Sequence, residues 1–157
     1  MSMEFCNTLS DAQIVTDLSA KNRWQAIDEL INNLVETGKV RPEDREAITA
    51  VVRKRETSMS TGIGLGIGIP HASTDLIPAA VASLGRSKGG IEFDALDGQP
   101  VKLVILFLIP QGQFQKHLHT VAEIATLLHK AEFRQALEQA SDARAMLQII
   151  KGQTPAA

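Results

Sequence analysis

An α/β sandwich, a sheet with helices covering both of its faces, is the architecture this sequence predicts. Three observations carry that reading. Two amphipathic helical segments open the chain, one after Asn22 and one after Pro42. The run KLVILFLI, Lys102 to Ile109, is apolar on both faces between Pro100 and Pro110, as a central strand covered on both sides should be. Beyond it, from His117 to Ile150, the apolar residues return to helical spacing.

The first helix starts at Ser19 to Asn22, where a Ser or Asn can cap it. Trp24, Ile27, Leu30, Ile31, Leu34 and Val35 then form its apolar stripe, and Gly38 stops it. The second helix admits Pro42 in its first turn and sets Glu43 and Asp44 against the positive end of the dipole. Ala47, Ile48, Val51 and Val52 are its apolar positions, and it must end near Arg55 to Thr57, before TGIGLGIGIP. In that segment four glycines alternate with Ile63, Leu65, Ile67 and Ile69, a period of two that reads as strand or extended loop. Ala79 to Arg86 alternates weakly and reads as a strand, and Ile91 to Phe93 as a short one, before the turn DALDGQPV. After the central strand, HLHTVAEIATLL is an amphipathic helix and Phe133, Ala136, Leu137 and Ala140 mark another. Ser141 is placed to cap a last one through Met146 and Ile150. One domain over residues 1–151 is expected, with a frayed tail at 152–157.

Composition narrows the function. The 157 residues include 16 basic and 18 acidic side chains, a net charge of −2, which does not suit a nucleic-acid binder with its basic footprint. No apolar run approaches the ~18 residues of a membrane span, and the N-terminus lacks the basic-then-apolar pattern of a secretory signal, so a cytoplasmic location is expected. Cys6, the single cysteine, fits a reducing compartment and has no sequence neighbour to activate it. The chemistry left is four histidines, carboxylates and hydroxyls.

The glycine string is not a nucleotide fingerprint, because G-x-G-x-G-x-G running into Pro70 opens no helix. It reads as tightly packed chain whose bare face lets another part of the molecule approach. Pro70 cannot donate to a ladder, so a strand should stop there and leave His71 at its carboxyl end, where open α/β sheets bind ligands. Small neighbours, Gly68, Ala72 and Ser73, leave the imidazole accessible. Arg55 continues the Ile48–Val51–Val52 path to the helix end. There it is either a dipole-favoured arginine reaching for water or a fork for an anion. His117 and His119 point about 200° apart on a helix and cannot chelate one ion, so no metal is expected. His117 lies at the rim of a stripe of Leu118, Val121, Ala122, Ala125 and Leu128, while His119 faces the polar side and His129 the helix end.

Taken together and in order, these segments resemble the enzyme IIA domain of the fructose/mannitol class of the bacterial phosphoenolpyruvate-dependent phosphotransferase system, its nitrogen-regulatory branch included. RETSMSTGIGLGIGIPHA, Arg55 to Ala72, is similar to the family's Arg-Glu pair, Thr-Gly-Ile-Gly turn and Pro-His site; DALDGQPVKLVILFLIP is similar to its turn and central strand, and HLHTVAEIATLL to its His-Leu helix. The resemblance implies a central mixed, largely parallel sheet. It implies that His71 is the phosphorylated nucleophile with Arg55 and His117 lining the site and Ser60 and Thr61 adding donors, with no cofactor. The implied donor is an HPr-like phosphocarrier protein, and the acceptor a IIB component. With no IIB or IIC segment in this sequence, a regulatory protein whose phosphorylation state controls partner binding is the alternative. Two departures stand out: Gly68 replaces a usual Ala, a change expected to be silent, and Ser73 replaces a frequent basic residue, which bears on partner choice.

Overall fold

The computed structural model describes residues 7–152; Cys6 and the tail beyond Gly152 lie outside the described residues. Helix α1 (Arg23–Glu36) starts where Asn22 Oδ1 accepts the Gln25 N–H at 2.9 Å, the expected kind of cap. It buries Ala26, Ile27, Leu30, Ile31 and Leu34 and ends at Gly38, whose φ of +76° few other residues tolerate. A 3₁₀ turn at Pro42–Asp44 leads into α2 (Arg45–Ser58). The remaining helices are α3 (Phe114–Leu128), α4 (Ala131–Gln139) and α5 (Ala143–Lys151). The cap of α5 is Asp142 rather than Ser141: its carboxylate accepts the Ala145 N–H at 2.8 Å.

The six strands are β1 (Ile14–Val15), β2 (Gly62–Gly64), β3 (Ile67–Gly68), β4 (His71–Thr74), β5 (Val81–Ile91) and β6 (Val101–Pro110). The sheet is mixed, in the order β1-β5-β6-β3-β2, with β4 also paired to β6. The β1–β5, β3–β6 and β4–β6 pairings are parallel, whereas the long β5–β6 ladder and the short β2–β3 one are antiparallel. The two strands expected at 79–86 and 91–93 are joined: β5 runs on through Ser87 to Gly90, where the ladder is irregular and Gly90 takes a φ of +87°. Apolar spacing could not show that stretch, because it holds no apolar residue.

Strand β6 sits at the centre. Leu103, Ile105, Phe107 and Ile109 face a core shared with α3, α4 and α5, and Val104, Leu106 and Leu108 face one shared with α1 and α2. Helices therefore cover both faces, and a strand buried on both sides reads as one unbroken apolar run. Among the described residues no helix is long and apolar enough to cross a membrane.

Candidate active site

The glycine string is not one strand but a hairpin followed by a break. β2 turns into β3 through Leu65 and Gly66, both at positive φ (60° and 78°), the requirement of the tightest hairpin turns. Asp97 holds the turn by accepting the Leu65 N–H at 3.1 Å. The bare faces of Gly62 and Gly68 are covered as expected for packed chain. A Cβ on Gly62 would lie 2.8 Å from Ala95, and one on Gly68 2.8 Å from the Phe93 ring. Gly68 is therefore not interchangeable with Ala here, since Phe93 occupies the space a methyl would need.

His71 opens a strand rather than ending one. β3 and β4 pair with β6 in a single register: Ile67 faces Leu103, Gly68 faces Val104 and His71 faces Phe107. They are one strand interrupted at Ile69–Pro70. The Pro70 carbonyl still accepts the Phe107 N–H at 3.0 Å, which keeps the register across the gap, but proline has no N–H to return. The interruption frees the Ile69 carbonyl, which lies 2.8 Å from His71 Nδ1. A carbonyl can only accept, so Nδ1 carries the proton and Nε2 keeps its lone pair. Burial holds the His71 imidazole below its ordinary value of 6.5; the Ile69 carbonyl opposes this, the Arg55 charge adds to it and Glu56 opposes it again. The ring is thus kept neutral at neutral pH.

Helix α2 brings its C-terminal turn to the outer side of β4. Ile48, Val52 and Glu56 are its buried residues, while Val51, Lys54 and Arg55 line a cleft with His71, Ser73 and Phe114, of about 650 Å³. Arg55 is half-buried at the helix end, so the anion-fork reading has the geometry it needs: a guanidinium partly withdrawn from water beside an imidazole. Its neighbour Glu56, 1% exposed, is a residue that sequence reasoning missed as a site element. Its carboxylate accepts the Thr61 N–H at 2.8 Å and the Thr61 hydroxyl at 2.7 Å, and pairs with Arg23 at 3.2 Å. The signal was present: Glu56 lies eight residues beyond Ile48 and four beyond Val52 on the buried row of α2.

Ser60 and Thr61 take a different part from the one expected of them. The Thr61 hydroxyl donates to Glu56, and Ser60 Oγ donates to the Phe93 carbonyl at 2.8 Å while accepting the Gly62 N–H. Both hydroxyl protons are committed to holding the α2–β2 junction, and neither residue lines the cleft.

On α3 the buried row runs through His117, Thr120, Ile124 and Leu127, so His117 is at the centre of the buried face and not at its rim. Leu118 is instead exposed. In its buried position the His117 ring packs edge-on against Phe107, at 6.1 Å between centroids. Phe107 is also the register partner of His71, and in-register neighbours project from the same face of a sheet. His71 and His117 therefore gather around one phenylalanine. His119, 73% exposed, pairs with Glu123 at 2.6 Å on the solvent side, and His129 ends α3 by donating from Nδ1 to the Ala125 carbonyl at 2.8 Å. Both are placed as the periodicity predicts. Among the described residues no three His, Cys, Asp or Glu side chains gather as a set of metal ligands.

A neutral imidazole with a free Nε2, beside a half-buried guanidinium in an open cleft, suits reversible capture of a compact anion electrophile. Comparison with known proteins identifies the family. The family model for the phosphoenolpyruvate-dependent sugar phosphotransferase system, EIIA 2, matches residues 7–153. The fructose-specific EIIABC component of Bacillus subtilis is 35% identical over 148 residues, 94% of this chain, which spans only 23% of that relative. A nitrogen regulatory protein of Bradyrhizobium diazoefficiens is 30% identical over 149 residues, 94% of this chain and 95% of the relative. The solved structure of nitrogen regulatory protein IIA-Ntr from Neisseria meningitidis superposes with a TM-score of 0.84 at 25% identity, covering 92% of this chain and 97% of that one. A match over nearly the whole described length, on the same fold, makes this chain a member of the EIIA 2 family of the sugar phosphotransferase system, a family of phosphotransfer components.

Proposed function

We propose that His71 is the phosphoryl acceptor of a phosphocarrier domain that works in the cytoplasm, receiving the group from an HPr-like phosphohistidine protein and passing it to a IIB component. The observation that carries this is the fixed tautomer: Nδ1–H is spent on the Ile69 carbonyl, so the Nε2 lone pair is the nucleophile. It attacks the phosphorus of the incoming phosphohistidine while the donor's P–N bond breaks and its electron pair returns to the donor imidazole. No proton need move beforehand, because the ring is already neutral. Arg55 is placed to fork onto the equatorial oxygens, whose charge a loose in-line transition state spreads. His117 backs the site through Phe107. Onward transfer is the same step in reverse toward the acceptor, and a IIB acceptor is supported by a relative whose own name joins A, B and C components.

A regulatory role, in which the phosphorylation state governs binding to a partner protein, is favoured by the nitrogen regulatory relatives in sequence and structure. The chemistry at His71 is shared by both readings. Incubation with phosphoenolpyruvate, enzyme I and HPr should give an acid-labile, base-stable label on the wild type and none on His71→Ala. Full labelling of His71→Ala would sink the assignment. Pull-downs with phosphorylated protein and with His71→Ala then separate the roles: capture of a IIB protein supports transport, capture of a regulator supports control.

A further inference from the structure

Phe114 is the first residue of α3 and belongs to neither apolar core. The other phenylalanines among the described residues, Phe93, Phe107 and Phe133, are all buried in one core or the other. Phe114 is 38% exposed, and its ring lies over that of His71, with centroids 6.4 Å apart and planes 27° from parallel. That is within the range of an offset aromatic stack. The same ring forms one wall of the cleft that holds Arg55 and Ser73. A large apolar side chain at the open start of a helix stabilises no core, and a polar residue would serve the helix at least as well there. Among the described residues its ring contact is with the imidazole.

We propose that Phe114 is a positioning residue for phosphoryl transfer, a wall that fixes the plane of the His71 ring and keeps water from the phosphohistidine on that side. This rests on the reading of His71 as the phosphorylated residue. The competing reaction it suppresses is hydrolysis: a water oxygen attacks phosphorus, the P–N bond breaks with its electron pair going to Nε2, and the products are inorganic phosphate and neutral histidine. A phosphocarrier must hold its group until a partner docks, and a P–N bond open to water on every side is lost sooner. The wall also contributes to the burial that holds the His71 imidazole below its ordinary value. The charged and titratable groups facing that ring or its cleft are Lys54, Arg55 and Glu56 from α2; from α3, His117 packs on Phe107, the register partner of His71.

The test compares wild type, Phe114→Ser and Phe114→Leu. Serine is at home in a first helical turn, so its fold should survive, and a retained unfolding midpoint checks this. The purified phosphoproteins are freed of donor, and loss of label is followed at pH 7. Phe114→Ser should lose its phosphoryl group about fivefold faster, the factor that corresponds to one aromatic contact, with Phe114→Leu in between. In the unphosphorylated proteins, the His71 ring signals in NMR should titrate at higher pH in Phe114→Ser than in wild type. A labelled Phe114→Ser protein with the wild-type half-life and the wild-type titration overturns the proposal alone. Failure of the wild type to accept any label instead overturns the reading of His71 on which the proposal stands.

Discussion

Replacing Glu56 by Ala probes how the site is held together. The carboxylate is 1% exposed and takes two hydrogen bonds from Thr61, at 2.8 Å to the N–H and 2.7 Å to the hydroxyl. Alanine leaves both donors, on a residue that is itself buried, without an acceptor, at about 1–3 kcal/mol each. Arg23 loses its partner, but its side chain is 17% exposed and its guanidinium also rests 4.4 Å from the Trp24 ring centroid. It can turn to water, so this pair is worth nearer ~1 kcal/mol than the ~3–5 kcal/mol of a fully buried one. The loss expected is about 3–7 kcal/mol, which lowers Tm by roughly 10–20 °C in a chain of this size. Glu56→Gln keeps the shape and one acceptor and should lose about half as much. Urea unfolding followed by circular dichroism reads both, with an unchanged m-value showing that the same surface is exposed. An alanine variant within 1 kcal/mol (~1 kcal/mol being the scale of one ordinary hydrogen bond) would refute the reasoning, as would a glutamine no better than alanine. Because Arg55 is the adjacent residue, the alanine variant should also accept phosphoryl groups more slowly under conditions where it is fully folded.

Three further outcomes follow from the same geometry. Arg55→Ala should slow labelling by about a hundredfold, the usual effect of removing one donor from a developing charge, while leaving the unfolding midpoint close to wild type; labelling at full rate would remove Arg55 from the site. His71 is held below its ordinary 6.5, so its nucleophilic form should persist to more acid pH than a free imidazole, and the labelling rate should fall only below that value. The linked stability has the corresponding sign: between the folded and unfolded values the unfolded state binds the extra proton. Stability is then full above about pH 6.5 and declines as pH falls toward the folded value, and a His71→Ala variant should lack that decline. Finally, Gly68→Ala should cost about 1–3 kcal/mol through overpacking, because the new methyl would sit 2.8 Å from the Phe93 ring. Adding Phe93→Leu should recover part of the loss, and a Gly68→Ala protein as stable as wild type would show that Phe93 yields freely.

Much of the frame was legible in local chemistry. The Asn22 cap, the stop at Gly38, the doubly covered strand from Lys102 and the helix-end place of His129 all depend on residues within one or two turns of one another, and a single chain states these directly. The family's segments likewise pointed to His71, Arg55 and His117; the fold sets Arg55 and His71 in one cleft, while His117 lies outside that cleft's lining and packs on Phe107, the register partner of His71.

The contacts between distant segments were decided only by the tertiary structure. Alternating glycines have the same period of two whether they run straight or fold back, so the turn at Leu65–Gly66 appears only once Asp97 is there to hold it. That the strand resumes at His71 after the break at Ile69–Pro70 shows only in the pairing of β3 and β4 with β6, about 36 residues away along the chain. The hydroxyls of Ser60 and Thr61 could have faced an anion as readily as they face Phe93 and Glu56. The face α3 buries packs on the core that holds Phe107, with His117 inside against that ring and Leu118 outside. In each case the sequence by itself determined which groups were available and how they repeat along the chain. The packing decided which of them meet, because hydrogen-bond partners and buried faces are properties of two segments at once.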